Sequence, residues 1–314
     1  MGILFAALIF TFGVILVIKG GDVFVDAASW IAHAAGIPTF IIGATIVSLA
    51  TTMPEMIVSC LAAAQGKIDM AIGNAIGSVT ANTGLIMALA FIFMKVVITR
   101  KDYLLQCIIL IVCAALLPLG SLSGHLSVWS CVMLSVLFAA FMLLNLRQAK
   151  EQSSAVRHSE ERMVQNQIVK NVTLFVVGII MIVGGSQLLI NGGTRLAKVF
   201  GVPERIIAVT FVAIGTSLPE LVTTLTAIRK KESALSVGNI VGANVIDLSL
   251  ILPVCSIISG RKLPVSDMML RIDFPACVAV LLLALMPLLL REKANRIHGI
   301  AVLSVYIAYL AVTL

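Results

Sequence analysis

The sequence predicts an all-α membrane protein of ten transmembrane helices, built as two five-helix halves of opposite topology with proline-broken helices at the core. Three observations lead there. Hydrophobic residues make up 60% of the 314-residue chain and charged residues 12%, with a mean hydropathy of +1.10, against about 25% charged residues in a soluble domain. Apolar runs near the length needed to cross a bilayer, about 20 residues, recur from end to end. A stretch of the first half also returns in the second. So little charge cannot cover a water-facing surface, which excludes a cytosolic enzyme, a nucleic-acid binder and a disordered regulator.

The runs are roughly 2–18, 37–64, 71–94, 103–120, 127–146, 169–190, 203–228, 235–259, 273–290 and 297–314. The first has no basic region before it and no cleavage-type ending, so it reads as a retained helix. Between the fifth and sixth lies the one sizeable polar stretch, 147–170, with five basic and three acidic residues. It is expected as a cytoplasmic linker joining a first half, 1–146, to a second, 171–314. The six cysteines sit in or beside apolar runs without a CxxC pair, the pattern of buried structural thiols. A net charge of +7 is here a topology signal, because Lys and Arg collect in cytoplasmic loops. With the N-terminus outside, 15 of the 22 basic residues fall inside and seven outside, which favours both termini outside.

Shifting residues 36–82 by 165 positions onto 201–247 makes 13 of the 47 pairs identical without a gap. Among them are Pro38/Pro203, Thr51/Thr216, Pro54/Pro219, Glu55/Glu220, Gly73/Gly238, Asn74/Asn239 and Gly77/Gly242. Chance similarity between apolar helices matches Leu, Ile and Val; it does not align a Pro-Glu and a Gly-Asn dipeptide. An odd number of helices per half makes the second copy enter the membrane from the opposite side. That inverted repeat, expected over 36–90 and 201–255, is the plan of many secondary transporters, with their site at the midplane.

Only three carboxylates lie deep within apolar runs: Glu55, Glu220 and Asp247. A charge at the bilayer centre costs at least about 2.5–3.5 kcal/mol, and no Lys, Arg or His lies at comparable depth. Bound cations are the expected counter-charge. Each Glu follows a proline, in Ala50-Thr51-Thr52-Met53-Pro54-Glu55 and Gly215-Thr216-Ser217-Leu218-Pro219-Glu220. Proline lacks the N–H that would bond the carbonyl four residues back, which frees the Ala50 and Gly215 carbonyls, and non-helical backbone in a membrane is tolerated where it lines a cavity. Carbonyls, the hydroxyls of Thr51, Thr52, Thr216 and Ser217, and two carboxylates therefore converge in an all-oxygen shell. Such a shell suits hard cations such as Ca²⁺ or Na⁺. The next helix of each half adds a wall: Asn74, Ser78 and Asn82 recur every four residues on one face, as do Asn239, Ala243 and Asp247. Beside each stripe, Gly73/Gly77 and Gly238/Gly242 allow close helix packing.

The doubled Pro-Glu and Gly-Asn-x-x-Gly motifs resemble the α-repeats of the cation/Ca²⁺ antiporter superfamily, specifically its prokaryotic sodium/calcium exchangers. The resemblance covers essentially the whole chain. It implies an antiporter, not an enzyme, with one calcium site and overlapping sodium sites occupied alternately, and no cofactor beyond the transported ions. It further implies a multi-pass protein of a prokaryotic plasma (inner) membrane, functional as a monomer, with Ca²⁺, Na⁺ and lipid as its partners and no nucleic acid. Carried over, Glu55 and Glu220 ligate calcium and sodium, and the Thr51 and Thr216 carbonyls complete the calcium shell. Thr52 with Ser78 flanks one sodium site and Ser217 the opposite one. Asn82 and Asp247 line the middle, and the carbonyls of Ser48 and Ala213 add sodium ligands. There are three departures from the family pattern. Ala50 stands where Gly is usual and Thr52 where Ser is usual, with the needed oxygens kept. Ala243 stands where a Ser hydroxyl is common, so the sodium site nearest Ser217 lacks one ligand.

The resemblance implies electrogenic exchange in which sodium entry expels calcium. The same carboxylates would serve a proton/calcium exchanger or a potassium-dependent sodium/calcium exchanger. The hydroxyl-rich stretch before each Pro-Glu argues for sodium over protons, and Asn82 replaces an acid expected in the potassium-dependent branch. Paired catalytic Asp, a Ser–His dyad and an HExxH motif are all absent at depth, against an intramembrane enzyme. Gly13, Gly20 and Gly21 in the first helix, with Gly178, Gly184 and Gly185 in the sixth, suggest a pair that slides against the core.

Overall fold

The computed structural model describes residues 3–94, 96–97, 100–156, 164–200, 216–260 and 263–313. Helices α1 (Ile3–Ala35), α2 (Thr39–Thr51), α3 (Met53–Ala64), α4 (Ile68–Phe93), α5 (Arg100–Gly120) and α6 (Val128–Val156) make up the first half. The second contains α7 (Val164–Val199), α8 (Leu218–Lys230), α9 (Ser233–Ser259), α10 (Met269–Arg291) and α11 (Arg296–Thr313). Among the described residues, eight helices are long and apolar enough to cross a membrane, and α2 with α3 adds a ninth span bent by 46° at its break. Of the run expected at 203–228, residues 203–215 lie outside the described residues, and with them Ala213 and the Gly215 carbonyl. Helix α8 is the far end of that run.

Three helices run past the boundaries expected from the sequence. Helix α1 does not stop near residue 18 but continues through Lys19, Asp22 and Asp26 to Ala35. Its acids are answered by the basic end of α8, where Asp22 pairs with Arg229 and Asp26 lies 2.5 Å from Lys230. Helices α6 and α7 likewise run into the stretch expected as a linker, ending at Val156 and starting at Val164. Polar residues raise hydropathy plots' boundaries but do not end a helix whose backbone bonds are all internal.

The centre is occupied by α4 and α9. In their apolar windows 67% and 78% of residues are buried, against 11% in α11. Small residues make this possible. A Cβ on Gly43 would stand 2.5 Å from the Leu235 carbonyl oxygen, and one on Gly242 would stand 2.5 Å from that of Ala44. Backbone therefore meets backbone where α2 crosses α9, the packing that the Gly238/Gly242 pair predicts. Helices α1 and α7 form a second tight pair. As α1 advances from Phe10 to Gly20 and Phe24, its neighbours on α7 recede from Gly192 to Met181 and Gly178, so the two run antiparallel.

Two short antiparallel ladders tie the halves together at the connections. Strand β1 (Val96–Val97) pairs with β4 (Lys293–Ala294), and β2 (His125–Leu126) pairs with β3 (Leu263–Pro264). Each ladder joins one segment of the first half to one of the second, and satisfies backbone groups that no helix serves.

Candidate functional site

Each Pro-Glu motif sits at the start of a helix, directly after a break. Thr52 (φ −83°, ψ 0°) separates α2 from α3, and Ser217 (φ −86°, ψ 8°) precedes α8. Pro54 and Pro219 then occupy the first turn of the following helix, where a missing N–H costs nothing. The sequence thus sets two helix starts at depth, with Glu55 and Glu220 in the first turn of each. The partly positive end of a helix favours an anionic side chain there.

The acids from the two halves come together. Thr52 Oγ1 donates to Glu220 Oε1 at 3.3 Å, a bond from one Pro-Glu motif to the other. Glu55 is close enough to feel the charges of Glu220 and Asp247, with the Ser217 hydroxyl beside it, and Asp247 feels that of Glu220. Exposure is 1% for Glu55 and 0% for Glu220 and Asp247. Among the described residues, both carboxylate oxygens of Glu55, both of Asp247 and Oε2 of Glu220 have no hydrogen-bond partner. The hydroxyls of Thr216, Ser217 and Thr223 and Oδ1 of Asn82 are equally unpartnered. Buried polar atoms are normally satisfied, so this concentration of bare oxygens marks a place built for something that accepts lone pairs.

The surrounding polar residues hold the frame. Thr51 Oγ1 lies 3.1 Å from Asn239 Oδ1 and 3.3 Å from the Ser48 carbonyl, joining α2 to α9. Asn74 Nδ2 donates to the Glu55 carbonyl at 3.3 Å and to Ser59 Oγ at 2.9 Å, which fixes the turn bearing Glu55. Ser78 is buried on the same stripe. Ser48 is also buried, and its carbonyl accepts from Thr52 N–H at 2.9 Å, with the Thr51 hydroxyl, whose one proton is shared with Asn239, at 3.3 Å.

Three features escape sequence reasoning. The first is that α4 and α9 each turn π-helical at the stripe residue, over Asn82–Met87 and Asp247–Ile251. Single π-turns in α-helices mark functional positions, and here they begin at Asn82 and Asp247. A third π-turn, Gly43–Val47, precedes Ser48. The second is Asn244, wholly buried, which accepts from Asn82 Nδ2 at 3.2 Å and donates to Thr83 Oγ1 at 2.8 Å. The repeat comparison passes over it because its mate is Val79. The third is the buried hydroxyl of Thr223, facing Val58 in the same comparison. Among the described residues no three Asp, Glu, His or Cys side chains converge tightly enough to hold a metal alone. A cation here must take hydroxyl, amide and carbonyl oxygens as well, as hard cations do.

Comparison with known proteins agrees with this chemistry. Residues 5–147 and 170–314 match the family model described as sodium/calcium exchanger protein. The sodium/calcium exchanger MaX1 of Methanosarcina acetivorans is 27% identical over 360 residues, covering 97% of each chain. The inner membrane protein YrbG of Escherichia coli K12 is 32% identical over 267 residues, 83% of this chain and 82% of that one. A solved structure of the sodium-calcium exchanger NCX_Mj, soaked with 10 mM Na⁺ and zero Ca²⁺, superposes with a TM-score of 0.85 at 28% identity, covering 99% of both chains.

Proposed function

The chain belongs to the sodium/calcium exchanger family, a family of membrane transporters, and from that premise we propose that it exchanges Na⁺ for Ca²⁺ at a site shared by its two halves. The observation that carries this reading is the enclosed cluster of Glu55, Glu220 and Asp247, with five of their six carboxylate oxygens unpartnered among the described residues. An acid of this kind in an apolar interior is costly without a partner, and Ca²⁺ or several Na⁺ supply one. Both cannot fit against the same oxygens together, and competition for them couples the two fluxes.

The residues take the following roles. Glu55 and Glu220 ligate either ion, with the Thr51 and Thr216 carbonyls on calcium. Thr52 and Ser78 bound one sodium site and Ser217 the other, while Asn82 and Asp247 fill the middle. The Ser48 carbonyl adds a sodium ligand, and the Ala213 carbonyl is its counterpart in the second half. No cofactor is required beyond the ions carried.

The two halves form an inverted repeat of five spans each, ten in all, which alternate access to opposite sides. The antiparallel packing of α1 on α7, whose Gly13 and Gly20 are the repeat mates of Gly178 and Gly185, supports this. So do the two ladders, each of which pairs a first-half strand with a second-half strand. The protein acts as a monomer in a prokaryotic plasma membrane with both termini outside. Sodium entry carries more charge than calcium exit, and each net charge crossing is worth about 2.3 kcal/mol per 100 mV.

The test is ⁴⁵Ca²⁺ flux in proteoliposomes with Na⁺, K⁺ and H⁺ gradients imposed one at a time. A sodium gradient alone should drive calcium, faster when the membrane potential favours net positive charge moving with sodium. Calcium movement driven by a pH gradient without sodium would replace this reading with proton/calcium exchange on the same carboxylates.

A further inference from the structure

We propose that Asn244 is a positioning residue that holds the Asn82 side chain with its oxygen, and not its N–H₂ group, free for the transported cation. This rests on the central-site reading above and names a residue which that reading does not use. Three observations support it. Asn82 Nδ2 is committed to Asn244 Oδ1 at 3.2 Å. Asn244 Nδ2 is in turn committed to Thr83 Oγ1 at 2.8 Å. Asn82 Oδ1, at the other end of the chain of bonds, is buried with no partner among the described residues.

The sense of that relay matters because an amide has two chemically opposite ends, an acceptor oxygen and a two-proton donor. Helices α8 and α3, which carry Glu220 and Glu55, pack against the π-turns that open at Asn82 and Asp247 respectively, and α4 packs against the latter as well. Asn82 therefore stands on an element that borders the carboxylates. Turned the other way, it would offer N–H donors to bare carboxylate oxygens. A site satisfied by its own amide has less need of a cation, because charge-assisted hydrogen bonds are strong. In the structure the Asn244 oxygen takes the Asn82 amide nitrogen, which turns the Asn82 oxygen toward the carboxylate side. Asn244 comes from the second half of the chain, so the orientation of a first-half ligand depends on the two halves being docked. Asn82, Thr83 and Asn244 are 1%, 0% and 0% exposed.

The test is equilibrium ⁴⁵Ca²⁺ binding to the purified full-length protein, read as a double-mutant cycle. Asn244→Ala should raise the calcium Kd about tenfold, the effect of one lost buried hydrogen bond and a turned amide. Asn82→Ala should raise it at least as much, and the double variant should match Asn82→Ala alone, since Asn244 acts only through Asn82. Thr83→Val keeps Asn244 in place and removes its acceptor, so it should weaken binding in the same direction; it carries the test if Asn244→Ala does not fold. A Kd within twofold of the parent in a folded Asn244→Ala, or fully additive effects in the cycle, would overturn the proposal. Glu55→Gln measured alongside separates the two claims. If it binds calcium like the parent, the central-site reading fails; if it does not and the cycle is additive, only the positioning role fails.

Discussion

Replacing Glu55 by Gln keeps the shape of the side chain and removes one negative charge from the enclosed cluster. Two consequences of opposite sign follow from the burial of Glu55 at 1% exposure and its two unpartnered oxygens. Without ions, three acids are crowded together with both Glu55 oxygens lacking a hydrogen-bond partner among the described residues, and replacing one acid by a neutral amide lowers that crowding. The ion-free variant should therefore be more stable than the ion-free wild type, because like charges sharing one site disfavour one another. With calcium the order reverses. Removing one partner of a buried charge pair costs about 3–5 kcal/mol, and every 1.4 kcal/mol is tenfold in affinity, so calcium binding should weaken by roughly 10²–10⁴. Sodium carries half the charge and should lose less. At a calcium concentration of 100 times the wild-type Kd, the wild type gains about 2.7 kcal/mol from mass action and the variant close to none. Thermal unfolding in detergent, with and without calcium, reads both signs, and sodium-dependent ⁴⁵Ca²⁺ uptake in proteoliposomes reads the transport loss. A variant that unfolds like the wild type in both conditions, or keeps near-normal flux, would refute the charge-compensation argument.

Glu220→Gln should lose calcium flux to the same extent and in addition weaken the bond from Thr52; near-normal flux would remove Glu220 from the site. Pro54→Ala restores the N–H that can bond the Ala50 carbonyl, so the 46° break between α2 and α3 should partly straighten and flux should fall about tenfold, the cost of about one displaced ligand hydrogen bond, while the protein stays folded. Gly43→Ala brings a Cβ to 2.5 Å from the Leu235 carbonyl oxygen and 2.9 Å from Asn239 N; overpacking of this kind costs about 1–3 kcal/mol, read as a lowered midpoint in thermal unfolding. Lys230→Ala removes the contacts to Asp26 and to the Asp22 carbonyl at a half-exposed edge, where an ion pair is worth about 0–1 kcal/mol; its small destabilisation should shrink further at high salt.

Legibility in the sequence followed the cost of each feature in a membrane. Glu55, Glu220 and Asp247 could be picked out because a deep charge in an apolar run is rare and expensive. The break before Glu55 could be placed within the turn that ends at Pro54, since a missing N–H acts on its own helix. The Gly238/Gly242 crossing was readable because only small residues let backbones touch. By contrast, the true ends of α1, α6 and α7 were not readable: a hydropathy window registers Lys19, Asp22 and Asp26 as a loop, but the helix continues and α8 supplies their partners. Asn244 was hidden because its role comes from Asn82 and Thr83, more than 160 positions away.

What the sequence determined by itself is therefore local or compositional: an α-helical membrane protein, a repeated motif, and three acids that a bilayer would not tolerate unaccompanied. What tertiary structure alone decided is how those pieces face one another. The Thr52 hydroxyl meets Glu220, Thr51 meets Asn239, Asn82 meets Asn244, and the helices open into π-turns at Asn82 and Asp247. The reason is that a residue's cost of burial is a property of the residue and its neighbours in the chain, whereas the direction of an amide or the lack of a partner at an oxygen exists only once two distant segments have been brought into contact.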